Sequence, residues 1–223
     1  MKTRLICFIC LCVIILQTAA ITCHANPESD QPVKRIALTF DDGPHPKQTG
    51  QIMDVLDKYG IKATFFVIGV NVKNYPGIVR EELERGHEVG NHTNTHSHAS
   101  RLDPDSMKDQ IISCEQAIRL QTGMTVKLFR PPEGAMNKDM RTLIKDLGYT
   151  NVLWSLDTRD WAHTSPKDIS DYVVSNAKNG DIVLMHDYIG YNSPTVEALE
   201  LMLPQLIERG FTFVTVGELL SMK

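Results

Sequence analysis

The sequence predicts a single α/β domain in which about seven parallel strands, each followed by a helix, curl into a barrel. Apolar runs alternate with helical patterns from residue 34 to the C-terminus. Runs such as RIALTF at 35–40 and DIVLM at 181–185 are almost continuously apolar, as strands of a parallel sheet covered on both faces are. That many strand–helix units in one chain suit a barrel better than an open sheet.

The chain opens with Lys2 and Arg4, an apolar run over 5–16, the small residues Thr18-Ala19-Ala20, and Cys23-His24-Ala25. This is the layout of a secretory signal peptide, with cleavage expected near Ala25. The apolar run is shorter than the roughly 20 residues a membrane span needs; an uncleaved anchor is the alternative. Residues 26–33, polar with two prolines, read as a short linker. The catalytic domain is expected over 34–223. Its strands are expected at 35–40, 63–68, 88–90, 126–129, 152–156, 181–185 and 212–216. Its helices are expected at 48–59, 76–85, 103–121, 138–147, 166–177 and 195–209. Asp103-Pro104 and Ser165-Pro166 are helix starts, an N-cap followed by proline at the first helical position, and Gly123 closes the first of these helices.

Composition is that of a globular protein, with 42% hydrophobic and 22% charged residues and a mean hydropathy of −0.18. The net charge of −4 becomes more negative once a leader bearing Lys2 and Arg4 is lost. A nucleic-acid partner, which would require a basic face, is therefore not expected. No stable protein partner is implied. Four of the five cysteines, Cys7, Cys10, Cys12 and Cys23, fall in the leader. Cys114 alone remains, so no intrachain disulfide is expected. It sits in an apolar helical pattern and reads as a packing residue.

In parallel α/β folds the site lies at the carboxyl ends of the strands, and the chemical residues of this chain follow strand candidates. Asp41-Asp42 ends the first and His92 follows the third. Arg130 follows the fourth, Asp157 and Asp160 the fifth, and His186-Asp187 the sixth. Two adjacent carboxylates before a Gly-Pro turn suit a division of labour between metal ligand and base. A solvated turn is the plainer reading. His92 and His96 are four apart, which on a helical turn would put both rings on one face. With one carboxylate they would make a three-ligand site with open positions, as catalytic zinc uses. Arg130 could pair with a carboxylate. The Glu133 N–H, behind Pro131-Pro132, is free to meet a reacting oxygen. A carboxylate near His186 would raise its pKa and suit it to general-acid work. His98 reads as a surface or supporting residue.

Together these segments resemble the polysaccharide deacetylases of the NodB-homology type, carbohydrate esterase family 4. The motifs run in order: TFDDGP at 39–44, HTNTH at 92–96, RPPEG at 130–134, DTRDW at 157–161 and LMH at 184–186. The resemblance implies a distorted (β/α) barrel and a divalent metal, usually zinc, with cobalt or a similar ion able to substitute. It implies Asp42, His92 and His96 as metal ligands and Asp41 as general base positioned by Arg130. His186 would be the general acid, tuned by Asp160. Trp161 and Leu184 would line the acetyl pocket, and the Glu133 N–H would meet the oxyanion. Many members carry an aromatic where Glu133 stands, so the rim of the groove differs here. The implied activity is removal of N-acetyl groups from an N-acetylglucosamine polymer, peptidoglycan or chitin-type, outside the cytoplasm. An O-acetyl esterase on acetylated xylan and a catalytically silent wall-binding protein are the rival readings. No G-x-S-x-G elbow points to a serine hydrolase.

Overall fold

The computed structural model describes residues 33–98, 102–190 and 193–222. The expected leader over 1–25, and the linker apart from Val33, lie outside the described residues. The described residues form a single α/β unit.

The elements in chain order are β1 (Lys34–Asp41), α1 (Gln48–Lys58), β2 (Thr64–Val67), α2 (Gly69–Asn74), α3 (Ile78–Glu84), β3 (Glu88–Asn91), α4 (Pro104–Thr122), β4 (Leu128–Phe129), α5 (Lys138–Asp146), β5 (Thr150–Asn151), β6 (Leu156–Asp157), α6 (Pro166–Asn176), β7 (Asp181–His186), α7 (Thr195–Glu208), β8 (Phe211–Phe213) and α8 (Val216–Ser221). Seven strands form one hydrogen-bonded path, β5-β4-β3-β2-β1-β7-β6, and the short β8 pairs with the start of β1. Every pairing is parallel. The path is not closed between β5 and β6, so the sheet curls into an open, distorted barrel, as the sequence predicts.

Alternation along β1 divides the interior in two. Ile36, Leu38 and Phe40 join the large apolar cluster formed with Ile52 and Leu56 of α1, Cys114 of α4, and Met202 and Leu206 of α7. The other row, Ala37, Thr39 and Asp41, turns into the barrel. There Ala37 packs with Phe66, Leu128, Val152, Val216 and Leu219. On β7, Val183 and Met185 join the outer cluster, which leaves Leu184 and His186 on the inner row. Inward positions near the carboxyl ends of the central strands therefore carry the polar chemistry, over an apolar floor closed by α8.

Three expectations are corrected. The expected strand at 152–156 is two short strands, β5 and β6, around an irregular stretch at 152–155. The carbonyls of Val152 and Leu153 turn inward to accept from Arg130 Nε and Nη2, at 3.3 and 3.4 Å, so they are lost to a strand ladder. The expected strand at 212–216 ends at Phe213, because Thr215 and Glu218 form a reciprocal capping box that starts α8. The helix α2 was not expected: its own residues cap it poorly. It is held from outside, with Gly69 and Val70 N–H donating to the carbonyls of Thr93 and Asn94.

Leu38 is fully buried in the outer cluster, whereas Leu120 of α4 is 80% exposed. Leu38→Ala should cost about 2–5 kcal/mol of unfolding free energy. Leu120→Ala should cost within about 0.5 kcal/mol. Denaturant midpoints at unchanged m-value check the contrast.

Candidate functional site

β1 delivers two aspartates to different surroundings. Asp41 is the last inward residue of the strand and is 3% exposed. Asp42 follows with φ 77°, a left-handed conformation that turns its carboxylate away from the strand's alternation. The turn is held from three sides. Ile68 N–H donates to the Gly43 carbonyl at 2.8 Å, Asn71 Nδ2 donates to the Asp42 carbonyl at 2.8 Å, and Asp187 N–H donates to the Asp41 carbonyl at 3.1 Å. Gly43 must be glycine here, because a Cβ would overlap the buried Asp187 carboxylate.

Arg130 is fully buried. Its Nη1 donates to Asp41 Oδ1 at 2.7 Å and to Thr39 Oγ1 at 2.8 Å. Its guanidinium lies 4.2 Å from the centroid of the Phe66 ring. Burial pushes its pKa down and Asp41 works against that; an arginine remains a cation under either influence. With Oδ1 engaged, Asp41 Oδ2 faces the cleft, 3.7 Å from His92 Nε2.

His92 and His96 do come together, but not on a helix. Residues 92–98 are irregular, coiled by positive φ at Thr93 (70°) and His96 (54°). The coil is clamped by Asn91 Oδ1, which accepts from Thr93 N–H at 2.9 Å. Gln110 Oε1 of α4 accepts from the N–H groups of Asn94 and Thr95, at 3.1 and 2.9 Å. The His92 Nδ1 lies 2.7 Å from the Arg130 carbonyl. A carbonyl only accepts, so the proton sits on Nδ1. Burial lowers the His92 pKa despite the opposing charges of Asp41 and Asp42. The ring is thus neutral, with its lone pair on Nε2.

That lone pair meets another acceptor. His92 Nε2 is 3.5 Å and His96 Nε2 3.3 Å from Asp42 Oδ1, which is buried and without a hydrogen-bond donor. The three ligating atoms lie within 4.8 Å of one another. Two atoms each about 2.0–2.1 Å from a tetrahedral zinc would be about 3.3–3.4 Å apart. The donor set, its spacing and the orphaned oxygen fit a divalent cation, and the His92–carbonyl bond is the outer support such ligands need.

Across the cleft, His186 ends β7. Its Nδ1 is 2.7 Å from Asp160 Oδ1. Asp160 is fully buried and also accepts from His186 N–H and Thr195 Oγ1, each at 2.8 Å, and from Trp161 N–H at 2.9 Å. Burial works against a charged His186, but the Asp160 hydrogen bond and charge, with Asp41 and Asp42 adding to them, raise its pKa to about 9. Leu184, buried, and Trp161, half exposed, line the same cleft of about 490 Å³ with Asp41, Asp42, His92, His96, Glu133 and His186. All the inferred site residues therefore converge here, with Arg130 and Asp160 directly behind the cleft residues.

Glu133 sits in a 3₁₀ turn (Pro132–Gly134) with φ 56°. Its carboxylate Oε2 pairs with His98 Nε2 at 2.6 Å, which gives His98 a place at the rim. Three residues in or behind the cleft, Trp154, Thr39 and Thr195, were given no role by the sequence reading. Trp154 lies in the stretch misread as strand. Thr39 is two residues before Asp41 on the same inward row, so strand alternation could have found it. Thr195 carries no local signal, being 35 residues from the Asp160 it supports. Asp187 is almost fully buried. Burial raises its pKa to about 7, against a hydrogen bond from Thr49 Oγ1 and with the charges of Asp42 and Asp41.

The family profile described as "Polysaccharide deacetylase" matches residues 28–152. A peptidoglycan-N-acetylglucosamine deacetylase of Bacillus cereus is 44% identical over 192 residues, covering 85% of this chain and 90% of that protein. A chitooligosaccharide deacetylase of Sinorhizobium fredii is 35% identical over 83% of this chain and 91% of its own length. Among solved structures, a family 4 acetyl xylan esterase from Clostridium thermocellum in complex with a cobalt ion superposes with a TM-score of 0.80. It is 35% identical, covering 85% of this chain and 91% of that one.

Removing the guanidinium leaves the buried Asp41 carboxylate without its direct ion-pair partner. Arg130→Met should lower the unfolding free energy by about 3–5 kcal/mol, and Asp41→Leu in the same chain should recover part of that loss. A denaturation series of both single variants and the double variant reads the coupling.

Proposed function

The chain belongs to the polysaccharide deacetylase family, and on that premise we propose that it removes N-acetyl groups from N-acetylglucosamine units of a wall-type polysaccharide, peptidoglycan or a chitin-type oligomer, releasing acetate. The observation that carries this reading is the convergence of Asp42 Oδ1, buried and without a hydrogen-bond partner, with two imidazole Nε2 atoms. Asp42, His92 and His96 would hold the cation, with zinc the expected ion and cobalt a competent substitute. When bound, such a cation lowers the pKa of a water toward about 7 and polarises an acetyl carbonyl.

The chain's own residues supply the rest. Asp41 Oδ2, the oxygen Arg130 does not engage, takes the proton of the attacking water. The Glu133 N–H donates to the developing oxyanion, where one such donor is typically worth about 3 kcal/mol. Trp161 and Leu184 form the apolar wall for the methyl group. His186, kept protonated by Asp160, donates to the departing amine, and acetate leaves.

The named activities of the Bacillus cereus and Sinorhizobium fredii relatives support an amide substrate. The acetyl xylan esterase likeness keeps an ester reading in play. Acetate release from peptidoglycan, chitooligosaccharides and acetylxylan, assayed side by side, separates them: the expected order puts the N-acetylated polymers first, and release from acetylxylan alone would overturn the assignment. An N-terminal leader of secretory layout supports action outside the cytoplasm, and the mature N-terminus of exported protein should fall near Ala25.

Asp41→Asn should lower kcat by about 10²–10⁴-fold while zinc affinity, read by calorimetry, stays unchanged. Loss of zinc instead would exchange the roles of Asp41 and Asp42. The general acid must be protonated, so kcat should fall as pH rises through the His186 pKa. Because Asp160 raises that pKa towards 9 from the ordinary 6.5, Asp160→Asn should move the alkaline limb of the kcat profile downward. A profile that keeps its alkaline limb in place would remove Asp160 from this role.

A further inference from the structure

A second hollow of about 550 Å³ opens beside the catalytic cleft, and none of the residues that form the cleft lines it. Its wall is a run of three rings. His45 stacks on Tyr188 at a centroid distance of 4.8 Å and an angle of 13°, and meets Tyr75 edge-on at 6.3 Å. Both tyrosines keep substantial exposure, 44% for Tyr188 and 36% for Tyr75.

The polar groups of this hollow are set. His45 Nδ1 accepts from the N–H groups of Gln48 and Lys47, at 3.1 and 3.3 Å, so the ring proton sits on Nε2. Burial, helped by Lys47, lowers the His45 pKa and keeps the ring neutral. Gln48 Nε2 donates to the Gly190 carbonyl at 3.2 Å, while Gln48 Oε1 is buried and has no donor. Aromatic faces beside one waiting acceptor and one imidazole N–H suit a ring that is apolar on its C–H face and hydroxylated at its edge. Among the described lining residues Lys47 is the only cation, which gives little to hold a phosphate or a sulfate.

Chain connectivity fixes how near this hollow is to the chemistry. His45 follows Asp42 by three residues and Tyr188 follows His186 by two. At about 3.3–3.6 Å per extended residue, their Cα atoms lie within about 11 Å and about 7 Å of those site residues. A neighbouring sugar of a glycan held by its acetyl group in the cleft would then be within reach of the three-ring wall. We propose that His45, Gln48, Tyr75 and Tyr188 form a remote sugar subsite that grips a second residue of the same polysaccharide chain and makes the enzyme prefer longer oligomers. This inference rests on the deacetylase reading for the identity of its ligand.

The test compares chitobiose with chitohexaose on the full protein. Binding is read by calorimetry on metal-free protein, and kcat and KM for acetate release are read on zinc-loaded protein. Wild type should bind the hexamer more tightly than the dimer. Tyr188→Ala should weaken hexamer binding and raise its KM by about tenfold, with the dimer and both kcat values unchanged. Tyr188→Phe, which keeps the ring, should behave like wild type, and Gln48→Ala should repeat the hexamer-only loss. Equal wild-type affinity for the two oligomers, an unaltered hexamer in Tyr188→Ala, or equal losses for dimer and hexamer would each overturn the subsite. Absence of acetate release from wild type would count against the deacetylase reading, and the calorimetric comparison would still decide the subsite.

Discussion

The buried guanidinium of Arg130 is the constraint on which the rest of the site depends. A cation inside a barrel is costly unless every donor is met and its charge is balanced. Here Asp41 balances it, Thr39 and two carbonyls accept three further hydrogen bonds from it, and the Phe66 ring lies over it. The same residue's backbone carbonyl orders the proton on His92. One residue thus fixes which oxygen of Asp41 faces the cleft and which nitrogen of His92 does.

From that constraint the division between adjacent aspartates follows. Asp41 stays on the strand's inward row, where the guanidinium is. Asp42 leaves the row through a left-handed turn and meets the two imidazoles instead. Backbone strain of this kind costs on the order of 1–3 kcal/mol per residue. Asp42, Thr93, His96 and Glu133 all carry it around one cleft. The surrounding contacts that offset it come from distant elements: Asn71 of α2, Gln110 of α4 and Asp187 after β7.

Much of this was legible in the chain. Continuous apolar strands separated by capped helices gave the parallel α/β architecture, and the position of each polar motif after a strand gave its convergence. Where sequence reasoning failed, a tertiary partner decided the local structure. Residues 152–154 look like a strand because their side chains are apolar; the carbonyls of Val152 and Leu153 are claimed by an arginine more than twenty residues earlier. The His92–His96 spacing suggests a helix, yet the segment is a coil shaped by Asn91 and by a glutamine on α4. The start of α8 was readable, since Thr215 and Glu218 have capping-box spacing, but the β-branched run before them suggested a longer strand. The Thr195–Asp160 contact has no local signature at all.

The central claim is that Asp42, and not Asp41, shares a cation with His92 and His96. Diffraction from zinc-grown crystals, with an anomalous difference map at the zinc absorption edge, addresses it directly. The account expects one peak at about 2.0–2.2 Å from Asp42 Oδ1, His92 Nε2 and His96 Nε2, with Asp41 still bound to Arg130. A peak ligated by Asp41, or zinc bound without both imidazoles, would contradict it.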